Sequence, residues 1–337
     1  MPNKLSSITI RDVARLADVS VATVSRYINK TAPVSTEVSN RIQQIMDDLQ
    51  YVPHSVARSL ATHKTNTLGL VLSNMHNDFF GPLLSGIEDV VSHNAKNLLV
   101  ATYRPNLRKE IPPPIGPHNT DGLLVFADSL SDDHILNFYK IKFPLVLIHR
   151  TPPASLPIPC VTVENKAATR KLISHLIEVH GKRRILCLLG PIDQEDTRWR
   201  EMGYKAALEE HHIPFDPALI LPGEFENQVA YQTMRAFLAQ EHPEFDAVFA
   251  GDDDAAVGVL EALREAGKRV PQDIAVVGFD DQRMSPFLQP PLTTVRAPTH
   301  EVGRTAAQQL INVLRGKPAR RITLLPTELV VRHSCGC

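Results

Sequence analysis

Cysteine is scarce. Four thiols in 337 residues exclude a scaffold held together by disulfides. No apolar run reaches the roughly 18–20 residues needed to span a bilayer. Met1 to Ser7 lacks the apolar core of a signal peptide, so a cytoplasmic location and no membrane partner are expected. Enzyme signatures are missing as well: there is no P-loop, GxSxG, HExxH or CxxC pair, and neither an enzyme nor a cofactor is read. Gly251-Asp252-Asp253-Asp254 resembles a magnesium run, but metal catalysis draws its carboxylates from several elements, so helix capping is the simpler reading. Cys160 and Cys187 sit in apolar, strand-like runs and read as buried thiols. Cys335 and Cys337 lie beside His333, short of the four spaced ligands of structural zinc, and no metal site is read.

Net charge is almost absent, at −1, but its distribution is uneven. Residues 1–64 hold eight Lys or Arg and five acids, a net of +3, which leaves −4 for the remainder. A basic head on an acidic body is the asymmetry expected of a domain that meets phosphate.

That head contains Thr9–Asn29, TIRDVARLADVSVATVSRYIN. Thr9 with Asp12 reads as a capping box that starts a helix whose stripe is Val13, Ala14 and Ala17. Ser20 caps a second helix, Val21 to Ile28, with Val24 and Ile28 turned inward. Two short helices joined by a tight turn form a helix-turn-helix. The start of the second helix then faces the major groove with Val21, Ala22, Thr23, Ser25 and Arg26. Thr23, Ser25, Arg26 and Asn29 are able to hydrogen-bond phosphates or base edges, whereas Val21 and Ala22 offer only methyl contacts. A third helix, capped at Ser35, closes the core with Val38, Ile42, Ile45 and Leu49. Tyr51 to Leu60, YVPHSVARSL, is a helical pattern begun by a proline and too short to persist alone in water.

From Thr67 the pattern changes to continuous apolar runs at 68–72, 98–101, 123–126 and 145–148, then 185–189, 247–250 and 274–278. Such runs mean strands buried on both faces, in parallel sheets with flanking helices. Two series mean two α/β lobes. Ligands of open α/β sheets bind beyond the carboxyl ends of the strands. Candidate cleft residues are therefore 77–80, His149 and Arg150, 193–200, Phe225, Asp252 and Asp253, and Asp280 and Asp281. Pro105, Pro112, Pro113, Pro114 and Pro117 rule out a long helix between Thr102 and Asp121 and predict a thinly covered flank there.

The VATVSR string, the YxPxxxARSL segment and the βα repeats together resemble the lactose-repressor/galactose-repressor (LacI/GalR) family of bacterial transcription regulators, over about Thr9 to Arg332. The resemblance implies a periplasmic-binding-protein-like core crossed three times by the chain, near 160–163, 290–295 and 322–327. The domains are then a head at 8–50, a hinge at 51–64, a first lobe at 65–161 plus 293–322, and a second at 162–292 plus 323–337. It implies operator contacts from Thr9, Ser20, Val21, Ala22, Thr23, Ser25, Arg26, Asn29, Tyr51, His54, Ala57, Arg58 and Leu60. Leu60 falls where paired leucines wedge into the minor groove, and His54 stands where Asn is usual. Effector contacts fall to Phe79, His149, Arg200, Phe225, Asp252 and Asp280. His149 replaces a common acid, and Ala297 a frequent polar residue.

The expected function is a repressor that binds a palindromic operator as a homodimer, because one recognition helix reads too few base pairs, and that answers to a sugar or sugar derivative. A nucleoside or purine is the runner-up effector, with Phe79 and Phe225 able to sandwich a base. A solute-binding protein of the same core fold is the alternative function; deleting residues 1–64 would cost a regulator its DNA binding and a solute carrier nothing. No heptad repeat follows Arg332, so no C-terminal coiled coil is expected.

Overall fold

The computed structural model describes residues 8–51, 64–76, 78–104, 112–153 and 156–337. They form two compact units, divided after Asn66.

The first unit holds three helices: α1 (Ile10–Leu16), α2 (Val21–Asn29) and α3 (Thr36–Asp48). At the start of α1, the Asp12 carboxylate accepts from the Thr9 amide at 2.9 Å and the Thr9 hydroxyl at 2.7 Å. Those bonds hold the Asp12 carboxyl below its usual range. Ser20 caps α2 by accepting from the Thr23 amide at 3.1 Å, and Ser35 caps α3 through the Val38 amide at 3.4 Å. Val13, Ala14, Ala17, Val24 and Ile42 make a small core, as their helical spacing predicts. Ile28, Val38, Ile45, Leu49 and Tyr51 pack around it.

The second unit holds two parallel sheets. The first has six strands in the order β11-β5-β4-β3-β1-β2, and the second four in the order β7-β6-β8-β9. The strands of the first sheet are β1 (Thr67–Leu72), β2 (Asn97–Thr102), β3 (Gly122–Phe126), β4 (Leu145–Ile148), β5 (Cys160–Val163) and β11 (Ile322–Leu325). Those of the second are β6 (Ile185–Leu189), β7 (Ile220–Pro222), β8 (Ala247–Ala250) and β9 (Ala275–Val277). β10 (Thr294–Arg296) and β12 (Glu328–Val330) pair as an antiparallel ribbon where the chain crosses between the sheets. Seven strands coincide with the seven apolar runs to within a residue at either end. β5 and β11 run on to Val163 and Leu325, so the first sheet takes in a few residues beyond the bounds 161 and 322.

Helices cover both sheets. In the first lobe α4 (Phe80–His93) crosses α10 (Thr299–Leu314) so closely that a Cβ on Gly86 would lie 2.0 Å from the His300 carbonyl oxygen. A Cβ on Gly303 would lie 2.2 Å from that of Leu83, so both crossings need glycine. Among the described residues no helix joins β2 to β3. β2 is the edge strand and only half-buried, whereas β3 and β4 are buried throughout; residues 105–111, part of the proline-rich stretch, lie outside the described residues.

Candidate functional site

In the head, the exposed start of α2 presents Val21, Ala22 and Arg26. The other polar candidates are tied along the helix. Ser20 Oγ lies 2.9 Å from Thr23 Oγ1, and the Asn29 side chain donates to Ser25 Oγ at 3.2 Å. Thr9 is exposed, with its hydroxyl engaged by Asp12. Tyr51 packs against the head core, and burial raises its phenol above the usual range. His54, Ala57, Arg58 and Leu60 lie outside the described residues.

The carboxyl ends of both sheets of the core open onto a shared cavity of about 450 Å³. Phe79, Arg200, Phe225, Asp252 and Asp280 line it. Its centre is Arg200, from α7 (Glu195–Glu210), with its side chain 5% exposed. The guanidinium donates to Asn165 Oδ1 at 2.9 Å, the Gly251 carbonyl at 2.6 Å and Asp280 Oδ1 at 3.1 Å. It also lies 3.7 Å above the Phe279 ring and 5.1 Å from that of Phe225. Burial raises the Asp280 carboxyl, and the Arg200 and His149 charges work against that rise. Asp252 caps α9 (Asp253–Glu265) by accepting from the Ala255 amide at 2.8 Å while also facing the cavity. Burial, then the neighbouring Asp280, push its carboxyl well above the ordinary value. The capping reading and the cavity reading of Asp252 therefore hold together.

Phe225 owes its place to missing side chains opposite. A Cβ on Gly190 would fall 2.1 Å from its ring, and one on Gly251 would fall 2.8 Å away. Several lining positions also adopt left-handed backbone: Glu224 and Phe225 both at φ 55°, and Asp280 at φ 103°. Non-glycine residues held there mark sites where the surrounding fold over-determines the chain. Gly190→Val is expected to push Phe225 off its seat and lower effector affinity at least ten-fold, while the circular dichroism of the core is kept. Isothermal titration is the measurement, and unchanged affinity would remove Phe225 from the site.

His149 stands behind the residues that line the cavity. Its backbone is left-handed at φ 56°, and its ring is buried behind Phe79 and Phe126, with centroids 5.8 and 5.5 Å away. Nδ1 lies 2.7 Å from Asp196 Oδ2, close enough for an ion pair but not aligned as a hydrogen bond. Nε2 has no partner. Burial raises the Asp196 carboxyl, but His149, Arg200 and Asn165 outweigh it, and the net shift is downward. His149 therefore reaches the cavity through Asp196. Ala297 is buried and also stands back from the lining.

The His149–Asp196 contact spans the cleft to the start of α7, and the residues beside it do the same. The Thr151 amide and hydroxyl donate to Glu195 Oε2 at 2.6 and 2.9 Å, and the Gln194 amide donates to Asp128 Oδ1 at 3.4 Å. Sequence reasoning missed Asn165, which donates to Asp196 Oδ1 at 2.8 Å and accepts from Arg200. The signal was thin, because Asn165 follows the four-residue strand β5. Asp196 and Arg200 share one face of α7 at four-residue spacing, and that pairing was legible.

Asp253, next to the lining, does structural work. Its carboxylate accepts from Ser285 Oγ and Thr294 Oγ1, both at 2.5 Å, and from the Gln282 amide at 2.8 Å. This ties the loop carrying Asp280 to β10. Burial pushes the Asp253 carboxyl up to about 7 against those donors. A raised folded-state value favours folding while the group is protonated. Its contribution is full below the unfolded value near 4 and is lost as pH rises through about 7. The unfolding free energy of the full chain, read from urea titrations, should fall over that window, by about 2–4 kcal/mol for this group. Asp253→Asn should flatten that part of the profile, and an unaltered profile would show that Asp253 is ionised throughout.

A helix-turn-helix head and a two-lobed α/β core with a polar cleft define a ligand-sensing DNA-binding regulator. Residues 9–54 match the model of bacterial regulatory proteins of the lacI family, and residues 173–335 match the periplasmic binding protein-like domain. The HTH-type transcriptional repressor PurR of Aliivibrio fischeri (strain ATCC 700601 / ES114) is 32% identical over 332 residues, 97% of this chain and 98% of that protein. Among solved structures, the transcriptional regulator CelR–cellobiose complex is 30% identical with a TM-score of 0.71, covering 97% of this chain and 99% of that one. The lac repressor dimer bound to operator and the anti-inducer ONPF is 25% identical with a TM-score of 0.79, covering 98% and 99%. The chain belongs to the LacI family of bacterial regulatory proteins. It is a DNA-binding transcriptional regulator and not an enzyme. No helix among the described residues is long and apolar enough to cross a membrane.

Proposed function

We propose that this chain is a cytoplasmic repressor that binds an approximately palindromic operator as a homodimer, and that a neutral, polyhydroxylated sugar-like effector fills the core cavity. Arg200 and Asp280 supply paired, directional hydrogen bonds to vicinal hydroxyls. Phe79 and Phe225 cover an apolar ring face, and Asp252 adds a buried polar group. Cellobiose in the CelR complex is a ligand of this chemical kind.

One observation carries the choice of a neutral ligand. Among the described residues, the cavity is lined by Asp128, Asp196, Glu224, Glu226, Asp252 and Asp280, against Arg104 and Arg200. Arg200 is already committed to Asp280, and the Arg104 guanidinium donates to the Ser73 carbonyl at 3.0 Å. A phosphorylated sugar would bring two charges into a carboxylate-rich, partly dry space, where like charges repel strongly.

A thermal-shift screen of the full chain against neutral sugars, their phosphates and nucleobases tests this reading, followed by operator gel shifts with each hit. Stabilisation by a neutral sugar that also changes operator affinity is the expected outcome. A sugar phosphate binding more tightly than its parent sugar would refute the neutral assignment.

A further inference from the structure

Among the described residues, one group of side chains has the make-up of a metal centre, and it stands apart from the effector cavity. His175 and His180 belong to α6 (Lys166–His180), about a turn and a half apart, with His180 at the helix end. Cys335 and Cys337 come from the last residues of the sequence. We propose that these four side chains form a Cys2His2 site for a zinc-type divalent ion. His333, the neighbour that sequence reasoning placed beside the thiols, is not one of the four. The two imidazoles come instead from a helix more than 150 residues earlier in the chain, which is why sequence spacing found too few ligands.

The geometry carries the proposal. The four donor atoms all lie within 4.8 Å of one another. His175 Nε2 is 3.6 Å from both Cys335 Sγ and Cys337 Sγ, and His180 Nε2 is 3.3 Å from Cys337 Sγ. Metal–sulfur bonds of ~2.3 Å and metal–nitrogen bonds of ~2.0–2.1 Å, arranged as a tetrahedron, require donor–donor edges of about 3.3–3.8 Å. The three histidine–cysteine edges of 3.3–3.6 Å fall in that range, and the remaining donor pairs lie within 4.8 Å, a spread that an ion would draw together. Two thiolates and two imidazoles are also the borderline-soft donor set that selects zinc over magnesium or calcium.

The surroundings support it. Gly336 takes φ 112°, a backbone state that side chains avoid, and a Cβ there would lie 3.1 Å from His180 Nδ1. The glycine thus lets both flanking thiols turn to the same helix end. The Thr293 hydroxyl donates to Cys335 Sγ at 3.1 Å, an outer-shell bond that suits a sulfur carrying negative charge. The ion would tie the end of the chain to α6 beside the β10–β12 ribbon, which α6 packs against.

Cobalt(II) is the probe. Full-length protein, reduced and stripped with chelator, is titrated with Co2+ and followed by visible absorption, then back-titrated with Zn2+. One Co2+ per chain is expected, with the intense ligand-field bands of a tetrahedral ion and a thiolate charge-transfer band, all bleached by Zn2+. Zinc at about 100 times its Kd should raise Tm by roughly 5 °C. Cys337→Ser and His180→Ala should each weaken Co2+ binding at least ten-fold, and His333→Ala should leave the spectrum unchanged. Cys337 is exposed and His180 half-buried, so neither change hollows the core, and far-UV circular dichroism checks that. A wild-type chain without the tetrahedral spectrum overturns the proposal. So does a spectrum that survives in the Cys337→Ser/His180→Ala double variant.

Discussion

Arg200→Ala should abolish effector binding and cost the core about 3–5 kcal/mol of stability, the usual penalty for leaving a buried charge without its partner. Three polar acceptors and two aromatic rings converge on this guanidinium. Without it, Asp280 and Asp252 face one another across a buried site with no cation between them. Each then takes up a proton more readily, because burial already raises both carboxyls. Stability and binding are separable. A double variant, Arg200→Met/Asp280→Leu, removes the pair together and should recover most of the lost stability, as apolar replacements of buried ion pairs often do. It should not recover binding, because the paired hydrogen bonds to hydroxyls are gone. Urea denaturation and calorimetric titration read the two quantities. Near wild-type effector affinity in the double variant would show that the pair is only structural.

Arg26→Ala should weaken operator binding by about 10–100-fold per head, hence roughly 10²–10⁴-fold for two heads acting together, with effector affinity unchanged. Arg26 is exposed on the face of α2 that also carries Val21 and Ala22, and neither of those can form a bidentate bond to a base. The same variant separates two roles. Loss of a guanine contact relaxes preference at one operator position in each half-site. Loss of a phosphate contact weakens all sequences alike and lowers the salt slope by about one per head. Undiminished operator affinity would mean that Arg26 faces solvent.

The parts of this molecule that the sequence reveals are those written in local periodicity. The stripe of Val13, Ala14 and Ala17, the Ser20 and Ser35 caps, and the continuous runs such as Leu68–Leu72 each need only a few neighbouring residues to be recognised. Strands β7, β10 and β12 are three residues long and, unlike the equally short β9, are not read from an apolar run of their own. The site divides in the same way. Asp252 and Asp280 follow strand ends within three residues, and Arg200 lies in the helix that follows β6, so all three could be read as cleft candidates. His149 also follows a strand, but its left-handed backbone turns the ring into the layer behind Phe79, and nothing in a string of residue names reports that angle. The cluster of His175, His180, Cys335 and Cys337 was hidden for a plainer reason: its two halves meet only because the end of the chain returns to α6.

The bonds between the lobes have a kinetic corollary. Gln194, Glu195 and Asp196 occupy consecutive positions at the start of one helix, Gln194 held by Asp128 in the loop after β3, and Glu195 and Asp196 held by Thr151 and His149 in the loop after β4. A stiff rod gripped at three adjacent points cannot let go of one and keep the others at full strength. The jaws should therefore part in a single step, so that an occupant of the cavity acts as a toggle rather than a dimmer.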